Sequence, residues 1–346
     1  MRPRVMVLVL GYNAKNNIDD CFLNLLIQNY DNYTVWFADN NSRDGAAEDI
    51  EKEYPKVRVL RFDKNYGYAG GNNQLMEMAF KDGADFCLIL NSDTKVKKDL
   101  VSSLVDTFES KNKTGVKIGL VQPMIMLDDR PKLINSAGNV IHYLGFGYCG
   151  SYLVSNIPKE DKEIVSVSGT AMLISRDYFK DVGKLDDEFF MYNEDQNYCW
   201  RGLMMGYKHF LSVEGVVWHK YQFKKNKNKW YHSEKNRLMM IGENYQRKTV
   251  VLLLPIIIIN EVLLLIYALI DGWFGLKIKS YVYILKNIKL IRLRRNFIQK
   301  TRLILDKEII DRFSSRLNFA EMDSIIVKRF VNPIYRQYYK FINNFL

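Results

Sequence analysis

Strand and helix alternate through the first hundred residues, and no other feature of this sequence constrains its fold as strongly. Val5–Leu10 is a short apolar run ending at Gly11, as expected of a buried strand. Ile18–Ile27 follows with helical spacing, Ile18, Phe22, Leu25 and Leu26 on one side. Tyr33–Ala38, Val57–Phe62 and Asp85–Leu90 read as further strands, with helices predicted over 45–53 and 71–80. Such alternation implies an α/β fold with a mainly parallel sheet covered on both faces. In sheets of that kind, ligands sit beyond the carboxyl ends of the strands. The polar clusters fall at those ends: Tyr12 and Asn13, then Asp39 to Asn41, Asn65 to Asn73, and Asn91 to Asp93. Residues 116–175 read as strand-rich and mixed. A helix is predicted from Glu194 to Met205, and a strand over 208–214.

Charge divides the chain near residue 246. The net charge is +11, from 50 basic and 39 acidic residues. Residues 247–346 carry 18 basic and 7 acidic side chains, and the 32 of each sign before them cancel. A basic excess confined to the segment with the longest apolar run points to anionic lipid headgroups rather than nucleic acid. The expected organisation is a catalytic domain over 1–246 and a helical, membrane-associating region over 247–346. Val250–Ile259 and Val262–Ile270 are apolar, with Pro255 inside the first run and Asn260 and Glu261 between the two. Their combined length approaches the ~20 residues of a spanning helix. A central Glu costs ~2.5–3.5 kcal/mol on insertion scales, so an in-plane helix or shallow hairpin competes with a span. Ile284–Arg302 mixes basic and apolar residues as a surface helix would, with Trp273, Tyr281 and Tyr283 expected near the interface. A buried helical subdomain is the other reading. The four cysteines are widely spaced and read as reduced thiols in the cytosol. The first ten residues lack a small-residue cleavage site and read as a strand, not a signal peptide.

Five places carry chemistry. Asp39 ends a strand, where a carboxylate can accept bonds from a base or ribose; Asp-Asn pairs also serve simply as turns. The glycine-rich run from Asn65 to Asn73, with Gly71 and Asn72, enters a helix whose N-terminus would favour an anion. It follows the third strand, so a dinucleotide fingerprint is out of place. Leu88 to Thr94 delivers Ser92 and Asp93 from an apolar strand, and Asp93 could hold Mg²⁺ or Mn²⁺ against a diphosphate. Glu194 and Asp195 open a helix behind an aromatic run, with Arg201 two turns on. A carboxylate there can take a proton from a sugar hydroxyl, or simply cap the helix. Phe190 and Trp200 could stack on a sugar ring. His219 ends an apolar strand and could join the metal or donate to the diphosphate. Lys220, Lys224, Lys225, Lys227 and Lys229 follow as a solvated loop or a phosphate-screening flap.

These motifs in this order resemble glycosyltransferase family 2, the inverting GT-A enzymes with a Rossmann-like sheet, and most closely its rhamnosyltransferase-like branch. Leu10–Asn13, Asp39–Gly45, Asn65–Asn72, Leu90–Thr94, Val167–Ile174, Tyr192–Asp195, Trp218–His219 and Glu234–Leu238 carry the resemblance. It implies that Tyr12, Asn13, Asp39 and Asn65 cradle the nucleotide, and that Gly169 and Thr170 line the sugar site. Asp93 would ligate the metal, with His219 completing the metal or phosphate site. Asp195 would deprotonate the acceptor hydroxyl for a single inverting displacement. Three positions depart from the family pattern. Asn197 replaces a second acid, Asn91 replaces the first acid of the metal motif, and no serine follows His219 within four residues.

The expected activity is transfer of a sugar from a nucleoside-diphosphate sugar, such as dTDP-rhamnose or a UDP-hexose, to a glycan acceptor. A polyprenyl-phosphate-linked acceptor at the cytoplasmic face of the cell membrane fits the basic, apolar C-terminus. Surface-polysaccharide or glycoprotein-glycan synthesis follows from that acceptor. Two other classes fit the sequence less well. A nucleotidyltransferase would carry a Gly-rich, Arg/Lys-containing loop after its first strand, where this chain has Tyr12 to Lys15. A membrane-bound scaffold with a degenerate transferase fold would not need Asp93, Asp195 and His219. No zinc finger or base-stacking motif supports nucleic-acid binding.

Overall fold

The computed structural model describes residues 2–221, 228–319 and 324–346. In chain order the strands are β1 (Val5–Gly11), β2 (Tyr33–Asp39), β3 (Arg58–Arg61), β4 (Phe86–Asn91), β5 (Thr94–Val96), β6 (Ile118–Leu127), β7 (Ile134–Ser136), β8 (Asn139–Ile141), β9 (Gly147–Cys149), β10 (Lys162–Ile164), β11 (Ala171–Ser175) and β12 (Lys208–His219). The helices are α1 (Ile18–Leu25), α2 (Ala46–Glu53), α3 (Gly67–Lys81), α4 (Leu100–Asn112), α5 (Arg176–Val182), α6 (Glu194–Met204), α7 (Lys229–Asn244), α8 (Arg247–Ile270), α9 (Phe274–Lys286), α10 (Ile288–Thr301), α11 (Asp306–Ile310) and α12 (Asn332–Asn343).

Two compact units divide the chain. The first holds the described residues up to Asn139, then Cys149–Phe190 and Tyr207–Tyr221. Its sheet runs β10-β12-β6-β11-β4-β1-β2-β3, with β5 paired to β12 and β7 to β6. The β3-β2-β1-β4 half is parallel. The other half is mixed, since β11 runs antiparallel to β4 and β6 while β12 runs parallel to β6. Val5 to Val9 are wholly buried, because a parallel strand is covered on both faces and reads as a continuous apolar run. Strand order reverses between β1 and β4, which makes the gap between their carboxyl ends the switch point of the sheet.

Two elements of this unit differ from the sequence expectation. The helix placed over 71–80 starts at Gly67, so the glycine-rich run forms its first turns instead of a loop. A Cβ at Gly71 would lie 2.7 Å from Leu10 Cδ2, so glycine there lets α3 lie close against β1. This tertiary packing outweighs glycine's poor helix propensity. Likewise, the two apolar runs around 208–220 form one strand, β12, with its register shifted between Ser212 and Val216.

The second unit comprises Val140–Tyr148, Met191–Gly206 and the described residues from Asn228 onward. The expected boundary near 246 is a single position, whereas this division interleaves three segments. The core here includes Trp200, edge-on to Tyr245 and to Phe313. Trp200 is therefore a core residue rather than a wall for a sugar. α8 runs unbroken through Pro255, Asn260 and Glu261. It is long and apolar enough to cross a membrane, by length and composition, and most of its apolar window is exposed. Glu261 is turned inward to Arg237 and Lys277, at 2.5 and 2.6 Å. The expected surface helix over 284–302 is split at Asn287 between α9 and α10. Trp273, Tyr281 and Tyr283 do not face outward as expected. Trp273 is buried and stacks on Trp230, Tyr281 donates to Glu261 at 2.8 Å, and Lys235 lies over the Tyr283 ring. Phe274, Ile278, Val282, Leu285, Leu293 and Phe297 are exposed instead.

Candidate functional site

The sheet places the expected nucleotide residues side by side. Gly11 is in register with Asp39, and Leu10 with Asn91, so Tyr12, Asp39 and Asp93 leave neighbouring strand ends. Their loops clasp one another. Asp39 accepts from the Ser42 backbone at 2.9 Å, Ser42 Oγ accepts from the Asn13 backbone at 2.9 Å, and Asn13 Oδ1 accepts from the Arg43 backbone at 3.2 Å. Asn13 holds φ at 50°, a left-handed conformation that Asn tolerates better than most residues. Tyr12 stands exposed above this clasp.

Asn40 organises the neighbouring loop and was not singled out from the sequence. It is buried, donates to Asn65 Oδ1 at 3.0 Å and accepts from the Tyr66 backbone at 2.9 Å. Asn65 in turn accepts from the Gly67 backbone at 2.8 Å, which fixes the start of α3. Asn72 donates to the Tyr68 carbonyl, and its own Oδ1 is buried without a hydrogen-bond partner. Tyr68 OH donates to the Gly169 carbonyl. Thr170 accepts from the Asn91 backbone at 2.9 Å. Gly169 and Thr170 thus stand beside the carboxyl end of β4, near Ser92.

Asp93 and His219 meet because β5 and β12 pair antiparallel, His219 opposite Thr94. Asp93 Oδ1 lies 3.4 Å from His219 Nε2. That separation makes no hydrogen bond, and this carboxylate oxygen stays buried without a partner. The other imidazole nitrogen, Nδ1, lies 2.9 Å from Asn135 Oδ1. An amide oxygen can only accept, so Nδ1 carries a proton, and in the neutral ring Nε2 then offers its lone pair toward Asp93. Asn135 belongs to β7, at the far edge of a β7-β6-β12 ladder. No local pattern in the sequence marks it. One carboxylate oxygen and one imidazole nitrogen suit a divalent ion that takes its remaining ligands from phosphates and water. Among the described residues no three His, Cys, Asp or Glu side chains cluster as a metal-binding group.

Lys220 is held by Asp20 at 2.7 Å and Asn17 at 3.1 Å. The Lys220 contact, working against partial burial, lowers the Asp20 carboxyl below its usual range. Phe190 packs against Gly67. Lys224, Lys225 and Lys227 lie outside the described residues.

The second unit carries the Glu194 and Asp195 helix. Its approach is strained, since Tyr192 and Asn193 both have positive φ, at 67° and 64°. Asn236 stabilises that approach by donating to the carbonyls of Met191 and Tyr192, at 3.0 and 2.7 Å. Asn193 makes no capping bond and donates instead to Gln196 at 2.8 Å. Glu194 is buried, and its Oε2 has no partner. Burial first, and the Asp195 charge second, hold its carboxyl well above the usual range. Asp195 is half-buried, and its Oδ1 takes the Gln196 backbone N–H at 2.7 Å. Asn197, where the family pattern has an acid, accepts from Asn244 at 2.9 Å inside the unit. Arg201 lies along α6, its guanidinium 5.3 Å from the Tyr198 ring centre.

A mixed sheet with parallel strands around a switch point, and an acid and a histidine meeting there, defines a transferase-type α/β domain. The family model described as Glycosyl transferase family 2 matches residues 6–183, just over half of the chain. The chain belongs to this family and is a glycosyltransferase. It is 25% identical over 209 residues to the N-acetylglucosaminyl-diphospho-decaprenol L-rhamnosyltransferase of Mycobacterium tuberculosis, covering 55% of this chain and 67% of that one. It is 26% identical over 144 residues to the low-salt glycan biosynthesis hexosyltransferase Agl10 of Haloferax volcanii, covering 40% of this chain and 43% of that one. Among solved structures, GalNAc-T7 with UDP, GalNAc and Mn²⁺ shares the fold at a TM-score of 0.56 and 14% identity, covering 71% of this chain and 49% of that one. The chain thus spans about two thirds of the rhamnosyltransferase's length and about half of the other two.

Proposed function

We propose that this glycosyltransferase moves a sugar from a nucleoside-diphosphate sugar, dTDP-rhamnose or a UDP-hexose, to a lipid-linked glycan acceptor, with inversion at the anomeric carbon. The observation that carries the reading is the buried, unpartnered Asp93 Oδ1 facing His219 Nε2 at the switch point. Asp93 and His219 would hold Mg²⁺ or Mn²⁺, which when bound neutralises charge on a leaving diphosphate. Tyr12, Asn13, Asp39 and Asn65 hold the nucleotide, with Ser92, Gly169 and Thr170 toward the sugar. Asp195 takes the proton of the acceptor hydroxyl, beside Glu194, whose carboxyl burial and the Asp195 charge hold well above the usual range.

The acceptor and the location are supported by relatives and by surface chemistry. The mycobacterial relative is named for a diphospho-decaprenol acceptor. The exposed apolar residues of α9 and α10 alternate with Lys286, Lys289, Arg292 and Lys300, a pattern that suits the cytoplasmic face of an anionic membrane. The test is a screen of nucleotide sugars for nucleoside diphosphate release with Mg²⁺ or Mn²⁺, wild type beside Asp195→Asn. Loss of a general base lowers turnover by roughly 10²–10⁴-fold while nucleotide affinity is kept. Equal turnover in both proteins removes Asp195 from the mechanism.

A further inference from the structure

We propose that α8 lies in the plane of the membrane and does not cross it. Its outer face is sunk into the acyl chains of one leaflet, and its inner face rests on the protein. This rests on the membrane location proposed above. The helix has 24 residues. At 1.5 Å per residue it is about 36 Å long, enough for a ~30 Å hydrocarbon core. Length and apolar composition therefore permit a span, but the placement of its side chains opposes one. Val251, Leu254, Ile258, Val262, Ile266 and Leu269 are each at least half exposed. Their spacing of three or four residues keeps them on one side of the helix along its length. Thr249, Leu253, Ile256 and Asn260 are buried on the opposite side.

The protein side is fastened at several points along the helix. Tyr338 OH donates to the Leu252 carbonyl at 2.6 Å near one end. Tyr335 OH donates to Asn260 Oδ1 farther along. Glu261 follows, held by Arg237 and Lys277. Tyr267 is edge-on to Trp273 toward the other end. A crossing helix would carry these partners into the hydrocarbon with it. Among them are Glu234, Arg237, Glu261 and Lys277, bound to one another beside the middle of α8. Charges at that depth are costly, and pairing repays only part of the desolvation. In the plane, the network stays on the protein side and apolar side chains meet the lipid.

Neighbouring residues select a lipid surface as the occupant. Tyr338, Phe341 and Phe345 form a row of rings 5.7 and 4.8 Å apart, which adjoins α8 where Tyr338 meets Leu252. Phe341 and Phe345 are about half exposed. Arg247 and Lys248 are exposed in the first turn of α8, and Arg336 and Lys340 are exposed on α12. Basic residues beside an apolar helix face match anionic headgroups above acyl chains. The seat of α8 is also tied to the base helix within the same unit. α7 carries Arg237, which bonds Glu261, and Asn236, which holds the entry to α6. An in-plane α8 thus fixes the Asp195 helix relative to the surface on which a lipid-linked acceptor presents its glycan.

The test uses the full chain expressed in bacterial cells, with Lys248→Cys, Ile258→Cys or Asp271→Cys. All three positions are exposed, so the substitutions leave the packed face intact. A membrane-impermeant maleimide is read as the increment over the unsubstituted chain, three of whose four thiols are buried. Lys248→Cys and Asp271→Cys, at the two ends of α8, should both label in inverted membrane vesicles and neither in intact spheroplasts. In a second measurement, the purified chain with a fluorophore on Ile258→Cys is bound to anionic vesicles whose acyl chains are brominated. Its emission should be quenched, and that of the Lys248→Cys conjugate should not. Labelling of the two ends from opposite sides makes α8 a span and overturns the inference. So does an unquenched Ile258→Cys conjugate on membrane-bound chain, which means that protein covers the outer face. If the chain stays in the soluble fraction and binds no vesicles, the membrane location itself fails and takes the inference with it.

Discussion

The two compact units treat polar side chains in opposite ways. In the sheet unit, candidate ligand-binding groups such as Asp39, Asn65 and Asp93 stand at strand ends, partly exposed, beside loops that clasp one another. In the helical unit, charges are placed inside. Glu234 is sandwiched by Arg237 at 2.7 Å and Lys277, and Glu261 by the same two cations. All four side chains are largely shielded from solvent. Burial alone would raise the Glu234 carboxyl, but the Arg237 and Lys277 charges prevail and hold it below its usual range. A sheet satisfies its backbone in the ladder and leaves strand ends free for ligands. Helices packed on a charged pair use it to fix which faces meet, a role attested for buried ions in other systems. Substitutions at strand ends should therefore act on ligands, and substitutions in the helical network on folding.

The largest effect should come from breaking the network. Lys277→Met takes one of two cations from the buried Glu234 and Glu261 carboxylates and should cost about 3–5 kcal/mol of stability, read by denaturant unfolding. A loss under about 1 kcal/mol would mean the network is dispensable, and the contrast between the units would dissolve. Next comes the residue that holds a strand-end side chain, His219. Asn135→Ala frees the His219 ring and should weaken divalent-ion activation roughly 10–100-fold with an unchanged thermal midpoint. An unaltered metal titration would detach Asn135 from the site.

Glu194 sharpens the comparison, being a lone buried acid rather than a paired one. Its folded pKa is raised above the ordinary 4.5, so its contribution to stability is whole below that value and is lost as pH rises toward the folded pKa. Glu194→Gln mimics the protonated form. Its thermal midpoint should gain on wild type between pH 5 and pH 8, and a constant difference across that window contradicts a protonated Glu194. The smallest effect is a surface one. Leu293→Glu/Phe297→Glu should reduce sedimentation with anionic vesicles and leave the thermal midpoint unchanged. Point variants read this better than removing everything after residue 247, because that truncation also strips Phe313 from Trp200. Undiminished sedimentation moves the contact surface elsewhere.

Much of the sheet was legible in the sequence. β1, β2 and β4 fall within a residue or two of where apolar runs place them, and Asp39 and Asp93 leave strand ends as expected. Where the reading slipped, packing overrode local preference. Gly70 and Gly71 read as loop residues, yet α3 uses Gly71 to approach Leu10. Glu261 read as a costly charge within an apolar helix, and its partners lie 16 and 24 residues away. Trp200, Trp273 and Tyr281 read as ligand or membrane contacts, because an aromatic ring in sequence does not declare which surface it covers.

The sequence by itself determined the alternation of strand and helix, the acids at strand and helix starts, and the basic, apolar character of the C-terminal hundred residues. These follow from periodicity and local chemistry, which a short window carries. Only the tertiary structure decided that Asn135 meets the His219 ring and that Asn236 supports the strained entry to α6. Each depends on residues far apart in the chain meeting through strand register or helix packing. Asp93 shows the boundary between the two: its place after β4 was written in the sequence, and its meeting with His219 came from the pairing of β5 with β12.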